Sequence, residues 1–144
     1  MMTGANANGP LSGALIATVV ADDDRLNFLP RFLGPRLMIA GESLVYIWMR
    51  QLAASYQGGS WVFYDVSNGT GYMAPADGKP LRIAAPNMFE GEMSADAAGI
   101  VATLYALCDL AERSRNEAVI ERYHQLTDFA RQHPEWALIR RAID

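Results

Sequence analysis

Glu90 and Glu92 stand two apart in FEGEM, and Asp96 follows shortly after. On a strand the two glutamates share one face, about 6.6 Å apart along the backbone. That separation suits an acid/base pair with water between the carboxyls, and with Asp96 it outlines a small hydrolase. The same spacing also describes a solvated strand face, and no flanking His or Cys marks a site there. Cys108 would need an activating neighbour to be a nucleophile. Leu104 and Glu112 lie one turn to either side of it, so an inert core cysteine is expected. His124 and His133 lack metal-ligand spacing and a Cys or Glu-x-x-His partner, which makes them structural or surface groups. No GxSxG, GxGxxG or P-loop occurs. Arg131, Arg140 and Arg141 could face phosphates in a nucleic-acid-binding module. Trp61, Phe63, Tyr64 and Tyr72 could stack on bases. Only Lys79 and Arg82 are near them in sequence, so core and hairpin packing is the expected role. No metal or cofactor is expected.

The elements that would position these groups follow from pattern. The chain has 144 residues, half of them (51%) hydrophobic, enough for one domain with a core that needs neither disulfide nor metal. One cysteine allows no internal disulfide and suits a reducing cytosol. A net charge of -4 argues against bulk electrostatic binding of nucleic acid. Residues 14–21 (ALIATVVA) are too short to span a bilayer and no Lys or Arg precedes them, so they read as a strand or extended segment. Residues 1–13 are small and polar, the pattern of a disordered tail before a single domain over 14–144.

Asp22-Asp23-Asp24 can cap a helical turn over residues 25–29 that Pro30 ends. A helix over 37–56 carries Leu37, Leu44, Trp48 and Leu52 inward, with Gly58-Gly59 as its stop. Trp61–Val66 is aromatic and β-branched, and Asn68-Gly69 is a strong hairpin signal. A two-residue type I′ loop would set Asp65 opposite Tyr72, Tyr64 opposite Met73 and Phe63 opposite Ala74. Residues 80–85 and 87–93 supply two further strands, with Phe89, Gly91 and Met93 on one face and Met88, Glu90 and Glu92 on the other. Ser94 is a good N-cap, and Asp96 sits in the first turn, where the helix dipole favours it. The helix that follows, with Ala97, Ile100, Val101, Leu104, Leu107, Cys108 and Ala111, is apolar nearly all round and should be the buried centre. Helices over 116–132, with Val119, Ile120, Tyr123, Leu126 and Phe129 inward, and over 135–143 complete the chain. The expected class is α+β: a small antiparallel sheet of three to four strands packed with about four helices.

SNGTGYMAP, FEGEMSADAAGIVATLYAL and HPEWALIRRAID resemble the ArdB/KlcA family of plasmid-borne antirestriction proteins, and FLPRFLG and GESLVYIWM are similar too. The blocks occur in the same order and cover about residues 17–144. The resemblance implies a small, monomeric, cytoplasmic and non-enzymatic protein. It protects incoming plasmid DNA from host type I restriction enzymes, reaching them directly or indirectly. Polar or exposed positions inside the matching blocks are then the candidate interaction surface: Asn68, Tyr72, Glu90, Glu92, Ser94, Asp96 and Asp144. Ser94 and Asp96 have a capping reason to be there and Asn68 a turn reason; Asp144 has none.

Mimicry of a whole duplex fails on magnitude. A domain of this length has a diameter of about 37 Å. That length of B-DNA presents about 22 negative charges, whereas this chain has 16 acidic residues against 12 basic ones.

Overall fold

The computed structural model describes residues 14–144. The expected tail over 1–13 lies outside the described residues. In chain order the elements are β1 (Ala17–Val19), a 3₁₀ turn (Asp22–Asp24), α1 (Arg25–Leu33), α2 (Met38–Leu52), β2 (Trp61–Val66) and β3 (Gly71–Pro75). Then come β4 (Leu81–Ala84), β5 (Glu90–Met93), α3 (Ala95–Ser114), α4 (Glu117–Ala130) and α5 (Trp136–Ile143). The class is α+β. The strands divide into a three-stranded antiparallel sheet, β1-β2-β3, and a separate β4-β5 pair.

α3 is the hub. Its apolar residues are buried almost without a break, and it packs against α2, β3, α4 and α5. Ile100, Val101 and Leu104 are essentially inaccessible, each contributing roughly 1.5–3 kcal/mol by burial. Gly99 lets β3 lie directly on the helix, since a Cβ there would run into the Met73 carbonyl and Ala74. Thr103, fully buried, gives β3 the partner its inner edge lacks: the Met73 N–H donates to Thr103 Oγ1 at 3.3 Å. At the other edge of this sheet, Gln132 holds Leu15. Its Oε1 accepts from the Leu15 N–H at 2.9 Å, and its Nε2 donates to the Leu15 carbonyl at 3.0 Å.

Several local expectations are corrected. Pro30 does not end α1 but lies inside it; Leu26, whose carbonyl thereby loses its helical donor, is 92% exposed. The aspartates of Asp22–Asp24 form the 3₁₀ turn and make no side-chain cap bond to α1; Asp24 instead accepts from the Asn27 side chain. α2 ends at Leu52, before Gly58-Gly59. Cys108 is exposed rather than core, and Ile120 is 41% exposed.

The β2–β3 turn carries the largest correction. The Gly69 N–H bonds the Val66 carbonyl and the Val66 N–H bonds the Thr70 carbonyl, each at 2.9 Å, with Gly69 at φ +101° and Asn68 outside the positive-φ region. This is a three-residue loop with a glycine bulge, not a two-residue I′ turn. The register moves by one: Tyr64 faces Tyr72, Asp65 faces Gly71 and Phe63 faces Met73. Tyr64 and Tyr72 therefore stack, ring centroids 4.6 Å apart.

Candidate functional site at the start of the core helix

The richest polar constellation gathers where β5 runs into α3. Ser94 has the extended backbone of an N-cap, and its Oγ accepts from the Ala97 N–H at 3.1 Å. Glu135, in the turn before α5, closes the cap from 41 residues away. Its Oε1 accepts from the Ser94 N–H at 2.9 Å, and its Oε2 accepts from the Ser94 hydroxyl. A capping box draws its glutamate from the same helix's first turn; here another element supplies it.

Asp96 uses both oxygens. Oδ1 accepts from the Tyr72 hydroxyl at 2.8 Å, and Oδ2 lies 2.8 Å from His133 Nε2. The Glu135 N–H donates to His133 Nδ1 at 3.0 Å. Nδ1 is thus the acceptor, which assigns the ring proton to Nε2, facing the carboxylate. The His133 side chain is 10% exposed and that of Asp96 36%. Tyr72 is buried at 2% exposure between Tyr64 and Phe129. Burial first, and then the Asp96 carboxylate, push its hydroxyl far above the usual tyrosine range.

Chemically this is a staple. It joins β3, the start of α3 and the α4–α5 turn. The Ser94 hydroxyl is engaged as donor and as acceptor, and both Asp96 oxygens are taken. The Asp96–His133 pair has the form of half a catalytic relay, but the far ring nitrogen is occupied by a backbone N–H rather than facing a nucleophile. Among the described residues no group of three or more His, Cys, Asp or Glu could hold a metal ion.

The sequence-derived candidates separate accordingly. Tyr72, Ser94 and Asp96 come together. Glu90 and Glu92 do not join them: both lie exposed on β5, and Glu90 meets Arg82 at 3.4 Å with each side chain about two-thirds exposed. The three-carboxylate hydrolase arrangement therefore does not form. Asn68 docks the hairpin on α4, its Nδ2 donating to the Gln125 carbonyl at 3.0 Å, and Thr70 Oγ1 donates to the Arg122 carbonyl beside it. Asp144 is exposed beyond α5. Of the C-terminal arginines, Arg131 pairs with Asp128 at 3.0 Å, Arg141 lies over the Phe89 ring, and Arg140 is exposed. Trp61, Phe63 and Tyr72 are buried and offer no stacking platform. His133, read from sequence only as a structural or surface group, and Glu135 complete the site. Their one signal is the HPE at the head of the last matching block, which carries no mark of a partner so distant in the chain.

Among the described residues no helix is long and apolar enough to cross a membrane. The fold and the stapled junction define a small α+β protein that spends its best-placed polar groups on joining its own elements. The family model for antirestriction proteins matches residues 54–144, a span holding the hairpin, the β4-β5 pair and the staple. The chain belongs to this family, in its ArdB/KlcA group. It is 53% identical over 137 residues to an antirestriction protein KlcA of Escherichia coli, covering 90% of this chain and 94% of the relative. A second E. coli KlcA is 50% identical over 133 residues, covering 89% of this chain and 94% of that one. A solved structure from work on KlcA and ArdB matches with a TM-score of 0.85 at 50% identity, over 96% of this chain and 98% of that one. Those proteins are described as showing a novel fold and antirestriction activity against type I DNA restriction systems in vivo but not in vitro.

Proposed function

We propose that this chain protects incoming plasmid DNA from type I restriction in the cell, and that it does so by protein contacts rather than by catalysis or duplex mimicry. The likeness to the KlcA and ArdB proteins across nearly the whole chain carries the reading. Three features support the mechanism. The Ser94 hydroxyl and the Asp96 carboxylate are committed to internal bonds. The acidic residues exceed the basic ones by only four (16 against 12), too few for a duplex surface. Activity seen in vivo but not in vitro for the relatives fits a target that needs a cellular component besides the purified nuclease.

In this reading residues 14–144 act as one monomeric, cytoplasmic domain without a cofactor. The contact surface is the exposed Glu90 and Glu92 face together with Asp144, while Asn68, Tyr72, Ser94 and Asp96 hold that surface in shape. Expression of the chain in a host with a type I system should restore plating of unmodified phage. Unchanged plating at good soluble expression would overturn the proposal. A pull-down from restricting cells, with and without DNA, then identifies the component contacted.

A further inference from the structure

A second site is built where the α1–α2 connection meets the start of α4. A cavity of about 270 Å³ opens there, lined by the residues from Pro30 to Leu37 and by Asn116, Ala118, Val119 and Arg122. Three arginines, Arg31, Arg36 and Arg122, stand on its wall, and no acidic residue does. Arg31 is already matched, with Asp24 at 3.3 Å and Asp65 at 2.8 Å. Arg122 is not. It is half-buried, its Nε–H donates to the Phe32 carbonyl at 3.0 Å and its NH1 group to Gln125 Oε1 at 3.0 Å. Among the described residues no carboxylate lies within salt-bridge distance of it, nor of the exposed Arg36. A half-buried guanidinium held only by neutral acceptors can still pair with a negative charge.

The rest of the wall chooses among anions. Phe32, Leu33, Pro35 and Val119 make it mostly apolar. Exposed Glu117 and Glu121 flank it on α4, and the whole chain is at -4. A polyanionic nucleic-acid backbone would meet those acids at its neighbouring phosphates. A single carboxylate on an apolar body meets only the arginines and the apolar wall, and its two oxygens match a guanidinium fork.

We propose that this pocket binds a carboxylate of a partner protein, presented beside an apolar residue. The reading concerns binding alone and stands or falls independently of the antirestriction assay. The test is NMR titration of the isotope-labelled full chain with N-acetyl-leucine, N-acetyl-leucinamide, inorganic phosphate and a short single-stranded oligonucleotide. The expected result is saturable movement of the Arg122 Nε–H and the Leu37 and Val119 amides with N-acetyl-leucine, and none with the amide. Arg122→Gln should weaken binding about tenfold. Arg36→Gln, at an exposed position where folding is not at stake, should weaken it about threefold and decides the matter if Arg122→Gln does not fold. No saturable movement, an equal response to the amide, tighter binding of phosphate or oligonucleotide, or unchanged binding in Arg36→Gln would each overturn the proposal.

Discussion

Strand Glu90–Met93 and the helix start that follows it carry carboxylates of the same chemistry in opposite settings. On the strand, Glu90 faces solvent, and its partner Arg82 is as exposed as it is. Such a pair contributes about 0–1 kcal/mol. At the helix start, Asp96 is held between Tyr72 and His133, residues 24 and 37 positions away, and Ser94 is held by Glu135. The difference lies not in the acids but in whether a distant element delivers a partner. Where one does, a carboxylate becomes part of the framework; where none does, it remains a surface group free to meet another molecule.

The sharpest attempt to break this contrast is Glu135→Ala. It removes both acceptors of Ser94 and should lower stability by about 2–3 kcal/mol, read as a shift of the urea midpoint at unchanged slope. Next is Tyr72→Phe, which should cost about 1–2 kcal/mol at neutral pH by leaving an Asp96 oxygen without its donor. It should also change the alkaline limb. Below the ordinary tyrosine value of 10.0 both folded and unfolded chains keep the Tyr72 proton; above it the unfolded chain loses the proton while the folded chain holds it. Stability therefore falls as pH rises past that value, and Tyr46, Tyr64, Tyr105 and Tyr123, also raised, add to the fall. Removing Tyr72 should make the slope shallower by about 1.4 kcal/mol per pH unit, measured as unfolding free energy between neutral and strongly alkaline buffers. The smallest stability effect belongs to the strand: Glu90→Gln with Glu92→Gln should stay within about 0.5 kcal/mol. If this face is the contact surface, the same double variant should cut relief of restriction about tenfold in the plating assay. Destabilisation of the double variant as large as that of Glu135→Ala would erase the distinction.

How far these features could be read beforehand depends on the range of the interactions behind them. The Ser94 cap, the buried α3 and the outward Glu90 and Glu92 were legible because local periodicity and capping chemistry set them. The hairpin was legible but its register was not, since Asn-Gly serves both a two-residue I′ turn and a three-residue loop with a glycine bulge. The docking of Asn68 and Thr70 on α4, 57 and 52 residues away, accompanies the second. Pro30 was misread because its missing donor matters little beside an exposed Leu26. Cys108 was misread because a helix apolar on every side still has one strip that no neighbour covers. The staple itself was half legible. Ser94 and Asp96 announced themselves, while His133 and Glu135 are ordinary residues until the fold brings them back.

The grip of Gln132 on Leu15 also bears on the order in which the molecule is assembled. A side-chain amide here supplies what a neighbouring strand would supply, one acceptor and one donor to a single residue of backbone, across 117 positions. During synthesis β1 can pair inward with β2 long before residue 132 exists, but its outer flank stays unlatched until that residue has been made. Gln132→Ala should therefore show fast hydrogen exchange at the Leu15 amide while the amides of α3 stay protected. The turn between α4 and α5 is the clasp that closes over β1.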